Sequence, residues 1–344
     1  MQTQLLPVSP EALALAGELI RSGELVGFPT ETVYGLGANA LDADAVRRIF
    51  EAKGRPRDNP LIVHISAIDQ LEPLIAATPS PMARALMDAY WPGPMTLIFP
   101  KSDAVPMAVT AGLDTVAVRF PAHPAARALI DAAPMPIAAP SANRSGRPSP
   151  TTAAHVFEDM DGRIPLILDG GPCDVGLEST VIDVTAGEPR ILRLGGVTRE
   201  MIAAVCGSAG VDPAVMRPLK EGERPRSPGM KYRHYAPSGE LTIVEGGPES
   251  VVEAIRGLYD AALSEGRRPL ILALSDHLPA YGDRKTLSLG ADAAEMAHAV
   301  FACLREADDL GANAIFSEAV SKDGVGLAVM NRLGRAAAFR ILKV

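Results

Sequence analysis

Along residues 1–206, hydrophobic positions recur with the periods of amphipathic helices and short buried strands. Ser9 followed by Pro10 predicts a helix start, because a hydroxyl caps the first turn and proline fits the first helical position. That helix is predicted to end before Gly23, and Asp42 is predicted to cap a second helix that closes at Gly54. Further helices are predicted around 80–90, 123–133 and 151–160, and strands at 25–28, 61–65, 95–99, 115–120, 136–139, 166–168, 179–184 and 191–194. Because several strands follow one another directly, the pattern predicts an α/β domain with a mixed sheet.

The periodicity is lost between about residues 207 and 239, where five prolines favour an extended linker over a helix. A second α/β pattern follows, with strands predicted at 241–244, 270–274 and 314–317 and helices at 248–265 and 291–310, before a last helix. We therefore expect a first domain over 1–206, a linker over 207–239 and a C-terminal α/β domain over 240–344.

Composition adds limits on function. The chain has 344 residues, of which 47% are hydrophobic and 22% charged, as in an ordinary globular protein. Its 33 basic and 41 acidic residues give a formal net charge of −8, which argues against a general nucleic-acid-binding role and requires a local basic patch for any RNA contact. Three widely spaced cysteines make a disulfide scaffold or zinc ribbon improbable. No signal peptide or membrane span is visible, so a cytoplasmic protein is expected.

Polar clusters interrupt the apolar pattern, although no phosphate-binding loop, H-E-x-x-H or G-x-S-x-G motif is present. Residues 29–37 place two threonines, an acid and glycines after a buried strand, which suits either a ligand-binding loop or a simple strand cap. Lys53, Arg55 and Arg57 suit a polyphosphate, although a basic surface turn would have the same composition. His64, inside an apolar strand, is more typical of a core histidine than of a ligand.

Three further clusters lie later in the chain. Residues 139–149 combine hydroxyls, an amide and two arginines after a strand end, which suits phosphate and ribose better than a plain turn does. Residues 176–183 and 227–237 are individually weak signals. The linker is locally basic, and residues 231–235 combine tyrosine, histidine and cations in a pattern that favours contact with an anion over a solvated tether.

In their order and spacing, six motifs resemble those of the threonylcarbamoyl-AMP synthases, over essentially the whole chain. The motifs are PTETVYGLG (29–37), KGRPRDNPLIVHI (53–65), WPGPMTLI (91–98), SAN (141–143), GLESTVID (176–183) and SPGMKYRHYAP (227–237). One departure is Leu194, where the family usually has proline. The resemblance implies an α/β fold in which a YrdC-like mixed-sheet domain is joined by a Pro-rich linker to a small Rossmann-like α/β domain.

The resemblance also implies a reaction, in which L-threonine, bicarbonate and ATP give threonylcarbamoyl-AMP and pyrophosphate. Such an enzyme is a nucleotidyltransferase that serves threonylcarbamoyladenosine modification of tRNA. Mg²⁺ is expected with ATP, held by phosphates and water rather than by protein ligands, and no covalent enzyme intermediate is expected. Downstream transfer proteins are the expected partners, with tRNA contact at most indirect or weak.

The resemblance also implies two sets of site residues. The ATP set is Lys53, Arg55, Asn59, Thr115, Ser141, Asn143, Ser149 and Arg193, with His234 and Tyr235 as a lid over the nucleotide. The threonine set is Thr32, His64, Arg119 and Ser179. Two alternatives stay open: a carbamoyl-transfer domain of the kind found in hydrogenase maturation factors, and an RNA-binding protein.

Overall fold

The computed structural model describes residues 2–217 and 235–344. These residues form two compact units. Unit 1 contains residues 2–145 and 149–217, and unit 2 contains residues 146–148 and 235–344.

Unit 1 is built on a long mixed sheet. Its strands are β1 (Gln4–Pro7), β2 (Val26–Phe28), β3 (Gly35–Asn39), β4 (Ile62–His64), β5 (Met95–Pro100), β6 (Thr115–Arg119), β7 (Ile137–Ala138), β8 (Leu166–Asp169), β9 (Thr180–Asp183), β10 (Arg190–Arg193) and β11 (Gly210–Val211). Its α-helices are α1 (Pro10–Arg21), α2 (Ala43–Lys53), α3 (Pro81–Tyr90), α4 (Met107–Thr110), α5 (Pro124–Ala132), α6 (Ala153–Met160) and α7 (Arg199–Cys206). Two 3₁₀ helices lie at Ile68–Leu74 and Pro213–Val215.

Local capping chemistry determines where the first two helices begin and end. The Ser9 hydroxyl accepts a hydrogen bond from the Ala12 amide at 3.1 Å, and an Asp42 carboxylate oxygen accepts one from the Asp44 amide at 2.8 Å. Gly54 adopts a left-handed conformation with φ of 60°, which favours glycine and ends α2. The boundaries predicted for both helices are therefore confirmed.

The sheet places polar side chains from distant segments side by side. Its strand order is β1-β8-β2-β3-β7-β4-β6-β5-β9-β10-β11, with both parallel and antiparallel neighbours. In the parallel pair β4–β6, His64 lies opposite Arg119, and in the antiparallel pair β5–β6, Thr96 lies opposite the same arginine. Directly opposed residues share a face. His64, Arg119 and Thr96 therefore form one row across the sheet.

The other end of the sheet is covered by an apolar core. Helices α1 and α5 pack against each other, and Ile20 and Leu129 join Phe28 and Leu168 from the sheet in one buried cluster. This cluster holds β2 and the loop that follows it in place. Residues 30–34 of that loop are nearly all inaccessible to solvent.

One prediction for this region is wrong. The glycine-containing end of the 29–37 cluster is not a loop but strand β3, which pairs antiparallel with β2 and β7. A Cβ atom at Gly35 or Gly37 would lie 2.9 Å from the Phe28 ring. Only glycine at these two positions therefore leaves room for the ring. The glycines serve strand packing in the first place.

The segment predicted as a linker begins with short ordered elements. β11 pairs in parallel with β10, and the Asp212 carboxylate accepts a hydrogen bond from the Ala214 amide at 2.9 Å at the start of the following 3₁₀ helix. Residues 218–234, and with them His234, lie outside the described residues.

Unit 2 is a five-stranded, wholly parallel sheet with α-helices packed against it. Its strands are β12 (Glu240–Glu245), β13 (Pro269–Leu274), β14 (Thr286–Gly290), β15 (Ala314–Glu318) and β16 (Ile341–Lys343), in the order β14-β13-β15-β12-β16. Its helices are α8 (Pro248–Ser264), α9 (Ala293–Asp309) and α10 (Val325–Ala336). The predicted Rossmann-like character is confirmed, although β14 and β16 carry no local signal that predicts them. No helix within the described ranges has both the length and the apolar character of a membrane span.

Candidate active site

Arg119, the last residue of β6, is the centre of a buried polar network in unit 1. Its Nε donates to the Gly93 carbonyl oxygen at 3.3 Å, and its Nη1 donates to the Thr32 hydroxyl at 2.7 Å. Its Nη2 lies 2.7 Å from a Glu31 carboxylate oxygen. Only 4% of the Arg119 surface is exposed. The guanidinium is thus held in one orientation on all three sides.

Glu31 supplies the charge that balances this guanidinium. Burial on its own raises the pKa of the Glu31 carboxyl, but the positive charge and hydrogen bonds of Arg119 outweigh it and the pKa is lowered. Glu31 is therefore ionised at neutral pH, and the two side chains form a buried ion pair. The second carboxylate oxygen accepts a 3.4 Å hydrogen bond from the His123 amide, which ties the pair to the start of α5.

The loop that carries Thr32 is held by hydrogen bonds among its own residues. The Thr30 hydroxyl donates to the Val33 carbonyl oxygen at 2.7 Å and lies 2.8 Å from the Thr32 hydroxyl. Thr32 itself has no exposed surface. The turn that carries Thr32 is therefore fixed by contacts among residues 30–33.

His64 stands beside Arg119 in the next strand but carries no charge. Burial, and after it the nearby Arg119 guanidinium, lowers the pKa of the imidazole to about 3. Its Nδ1 is buried and makes no hydrogen bond with the described residues. The ring meets Phe28 edge to face, with 6.2 Å between centroids. A neutral imidazole with an unsatisfied nitrogen is chemically suited to a neutral hydroxyl.

Ser179 extends the network to the next strands. Its hydroxyl lies 2.7 Å from that of Thr96 and accepts a 2.9 Å hydrogen bond from Arg193, whose Nε also binds the Ser179 carbonyl oxygen at 2.9 Å. Gly195 lies directly behind this segment, since a Cβ there would fall 2.4 Å from the Glu178 carbonyl oxygen. Arg193 is thus firmly placed, with leucine rather than proline as the next residue.

A second polar group gathers around Lys53 at the end of α2. The Lys53 ammonium is buried and donates to the main-chain oxygens of Ser141 and Asn143, while the Ser141 hydroxyl donates to the Asn143 side-chain oxygen. Lys53 therefore holds the 141–143 loop in shape. These carbonyl oxygens in turn satisfy the buried ammonium.

Two further residues of the predicted ATP set are deeply buried. Asn59 has no exposed surface, and neither atom of its amide makes a hydrogen bond with the described residues. Ser149 is equally buried and donates to a Glu178 carboxylate oxygen. Buried amides are rarely left in this state, so Asn59 is a candidate for a contact with a ligand.

Several of the predicted site residues are thus hydrogen-bonded to one another, and others lie apart from them. Thr32 and Arg119 are bonded directly, as are Ser179 with Arg193 and Lys53 with the 141–143 loop. Thr115 begins β6, roughly 13 Å along the strand from Arg119. Arg55 reaches the Pro60 carbonyl oxygen at 3.4 Å.

Tyr235, predicted as part of a lid, is placed within unit 2. Its ring lies 5.0 Å from that of Phe301, and the Arg332 guanidinium carbon lies 5.6 Å from its centroid. Sequence reasoning missed Glu31 and Thr96 as members of the network in unit 1, although both stand in motifs that it singled out. No cluster of three or more His, Cys, Asp or Glu side chains that could hold a metal occurs in the part of the chain that the structure describes.

Comparison with known proteins covers the whole chain. One family model, described as telomere recombination, matches residues 18–195, and a second, described as the C-terminal domain of threonylcarbamoyl-AMP synthase, matches residues 197–338. The threonylcarbamoyl-AMP synthase of Pyrococcus abyssi is 50% identical over 332 residues, with 96% of each chain covered, and that of Bacillus subtilis is 48% identical, with 99% of this chain and 97% of the relative covered. The crystal structure of P. abyssi Sua5 complexed with L-threonine has a TM-score of 0.95 and 48% identity, and covers 99% of this chain and 100% of that one.

Proposed function

Because the chain belongs to the threonylcarbamoyl-AMP synthase family, we propose that it converts L-threonine, bicarbonate and ATP into threonylcarbamoyl-AMP and pyrophosphate. By this chemistry it is a nucleotidyltransferase. The observation that carries the proposal is the group of Thr32, Arg119 and His64 in unit 1, which offers one fixed cation, one hydroxyl and one neutral imidazole close together. A solved relative of nearly identical fold binds L-threonine.

The carboxylate and the side-chain hydroxyl of threonine each have a proposed partner among these residues. The carboxylate pairs with Arg119 on its Nη1 side, where the hydroxyl of Thr32 is also bound. The side-chain hydroxyl meets the unsatisfied Nδ1 of His64, and Ser179, just before β9, lies beside Thr96 at the other end of the network. Reading a hydroxyl with buried polar groups discriminates strongly against analogues that lack it, because the partners are then left unpaired.

ATP is assigned to the second polar group. The 141–143 loop, kept in shape by Lys53, presents the Ser141 and Asn143 side chains at the end of β7. The remaining proposed contacts to the nucleotide come from Arg55, Asn59, Thr115, Ser149 and Arg193. Mg²⁺ accompanies ATP, bound by phosphate oxygens and water, which needs no cluster of protein ligands.

The chemistry places two demands on the residues. A C–N bond forms between the threonine nitrogen and the carbon of bicarbonate, with loss of water and a proton. A carbamate oxygen then attacks the α-phosphorus, and the bond to the β-phosphate breaks to release pyrophosphate. Fixed cations stabilise the charge that develops on the phosphates, and burial of the threonine residues shields the carbamate from water. Positioning therefore supplies catalysis without a covalent enzyme intermediate.

We further propose that residues 1–206 form the catalytic domain, that 207–239 form a linker and lid, and that 240–344 form a C-terminal domain. His234 and Tyr235 are the proposed lid residues. Deleting residues 217–237 should leave unit 1 folded but should lower the rate of threonylcarbamoyl-AMP synthesis. Full turnover in that deletion would disprove the lid.

The product supplies a threonylcarbamoyl group to transfer proteins that modify tRNA, so a cytoplasmic location and at most weak direct contact with tRNA go with the proposal. Partner recognition is testable separately from the reaction. Adding purified tRNA should leave pyrophosphate release unchanged.

The reaction is tested by pyrophosphate release from ATP by the purified protein, with and without L-threonine and bicarbonate. Release should need both, and serine or valine should substitute poorly, because serine lacks the methyl group and valine the hydroxyl. ATP binding with no threonine-dependent release would contradict the proposal and favour the carbamoyl-transfer alternative.

A further inference from the structure

The ion pair between Glu31 and Arg119 includes a residue to which the proposed reaction gives no role. Glu31 Oε1 and Arg119 Nη2 lie 2.7 Å apart, and both atoms are inaccessible to solvent. Glu31 is itself only 6% exposed. The carboxylate therefore contacts the guanidinium at Nη2, whereas Nη1 binds the Thr32 hydroxyl.

Among the residues that the structure describes, Glu31 is the one carboxylate in an ion pair with Arg119. Thr32 and the Gly93 carbonyl oxygen are neutral partners, and His64 is uncharged at neutral pH. Without Glu31, the site would hold a buried arginine with a full, uncompensated charge. Such a charge is costly to bury and strongly attracts any anion that reaches it.

The reaction mixture is rich in competing anions. Bicarbonate, the phosphates of ATP and released pyrophosphate all carry more negative charge than threonine, which is a zwitterion with no net charge. An uncompensated arginine would bind these anions in the place of the threonine carboxylate. Arginine balanced by a carboxylate keeps its directional N–H donors but loses this general attraction.

We propose that Glu31 is a positioning and specificity-determining residue for threonine. It holds the Arg119 guanidinium so that Nη1 faces the amino acid, and it neutralises the guanidinium so that the site accepts a zwitterion and rejects small inorganic anions. This inference rests on the proposed function of the site and assigns no bond-making step to Glu31.

The test compares Glu31→Gln, Glu31→Asp and wild type, with sulfate as the anion probe at constant ionic strength. Glu24→Gln is the matched control, since Glu24 also pairs with an arginine at 2.7 Å but on the surface. In Glu31→Gln, the KM for threonine should rise about 10- to 100-fold, the range expected for a hydrogen bond to a charged group. The kcat should stay within about threefold, because the residue acts on ground-state binding.

Sulfate supplies the readout that a purely structural role would not move. It should compete with threonine in Glu31→Gln and leave the threonine KM of wild type, Glu31→Asp and Glu24→Gln unchanged. Glu31→Asp keeps the charge but shortens the side chain, so its KM should rise without sulfate sensitivity. Sulfate competition in wild type, or an unchanged threonine KM in both Glu31 variants, would overturn the proposal.

Two measures distinguish failure of the Glu31 proposal from failure of the proposed reaction and from misfolding of a variant. Threonine affinity with and without sulfate is also measured by calorimetry, which requires no turnover. Loss of threonine-dependent release with sulfate-sensitive threonine binding in Glu31→Gln would refute the reaction and support the role of Glu31. If Glu31→Gln does not fold, sulfate competition in wild type, or an unchanged threonine KM in Glu31→Asp, still overturns the proposal.

Discussion

The buried His64 should make unit 1 sensitive to mild acid. In the folded chain the pKa of this imidazole is about 3, and in the unfolded chain it returns to its ordinary value of 6.5. Between those values the unfolded state binds a proton that the folded state does not, so the free energy of unfolding falls as the pH falls. From pH 7 to pH 5 the loss attributable to His64 is about 2 kcal/mol, at about 1.4 kcal/mol for each pH unit over which the two states differ by a proton.

The assay uses the one tryptophan of the chain. Trp91 lies in unit 1, is 9% exposed and donates a 2.8 Å hydrogen bond from its indole to the Met95 carbonyl oxygen, so its fluorescence reports unfolding of this unit. Urea titrations at pH 7, 6 and 5 give the free energy of unfolding for wild type and for His64→Gln. The wild type should lose about 2 kcal/mol more than the variant over this range.

The comparison between proteins separates His64 from other titrating groups. His123 also has a lowered pKa, chiefly from burial, and contributes equally to both proteins. Glu31 loses its contribution only as the pH falls below its unfolded value of 4.5, outside the range. His298→Gln, at an exposed position in unit 2, is the control and should behave as wild type does. Parallel pH dependences in wild type and His64→Gln would refute the reasoning.

Three substitutions test other parts of the site. Asn59→Leu should raise the free energy of unfolding by about 1–3 kcal/mol, because it removes a buried amide without partners among the described residues. The same variant should bind ATP more weakly in calorimetry. A variant that is less stable than wild type would contradict the reasoning. Thr96→Val should raise the KM for threonine about 3- to 10-fold by removing the hydroxyl beside Ser179, with kcat nearly unchanged, and an unaltered KM would exclude Thr96 from the site. Gly195→Ala should lower the free energy of unfolding of unit 1 by about 1–3 kcal/mol through overpacking. Gly54→Ala, in open space with positive φ, should lower it by about 1 kcal/mol. Equal urea midpoints for the two variants would show that the close approach behind Ser179 is unimportant.

Sequence predicts the helices of unit 1 well where the signals are local. The starts of α1 and α2 depend on hydrogen bonds between residues two or three apart. Ser9 and Asp42 are typical N-cap residues, so the sequence predicts these bonds directly. Strand β3 has no comparable signal. Its glycines are required by the Phe28 ring and by Ile137, about a hundred residues away in the sequence, and such a long-range contact leaves no local pattern.

The site shows the same division. Thr32, His64 and Ser179 of the threonine set stand in the quoted motifs, whereas Arg119 lies outside them and was assigned from the family resemblance. The bond between Thr32 and Arg119 is consistent with their joint assignment. Glu31 was not predicted, because its importance comes from Arg119 on a distant strand rather than from its neighbours in the chain. Thr96 was likewise read as a strand residue, since only the register of β5 against β6 and β9 brings it to Ser179.

The place of β12 in unit 2 has a consequence for the chain during its synthesis. β12 is the first strand of the unit to leave the ribosome, yet its neighbours in the sheet, β15 and β16, are the last. Roughly 70 residues must be added before β15 exists, which takes about 4–14 s at ordinary translation rates. Throughout that interval Leu241, Ile243 and Val244, which are fully sheltered in the finished protein, have no strand to pair with. In the seconds after β12 emerges, these three residues of the nascent chain are therefore exposed to non-native pairing.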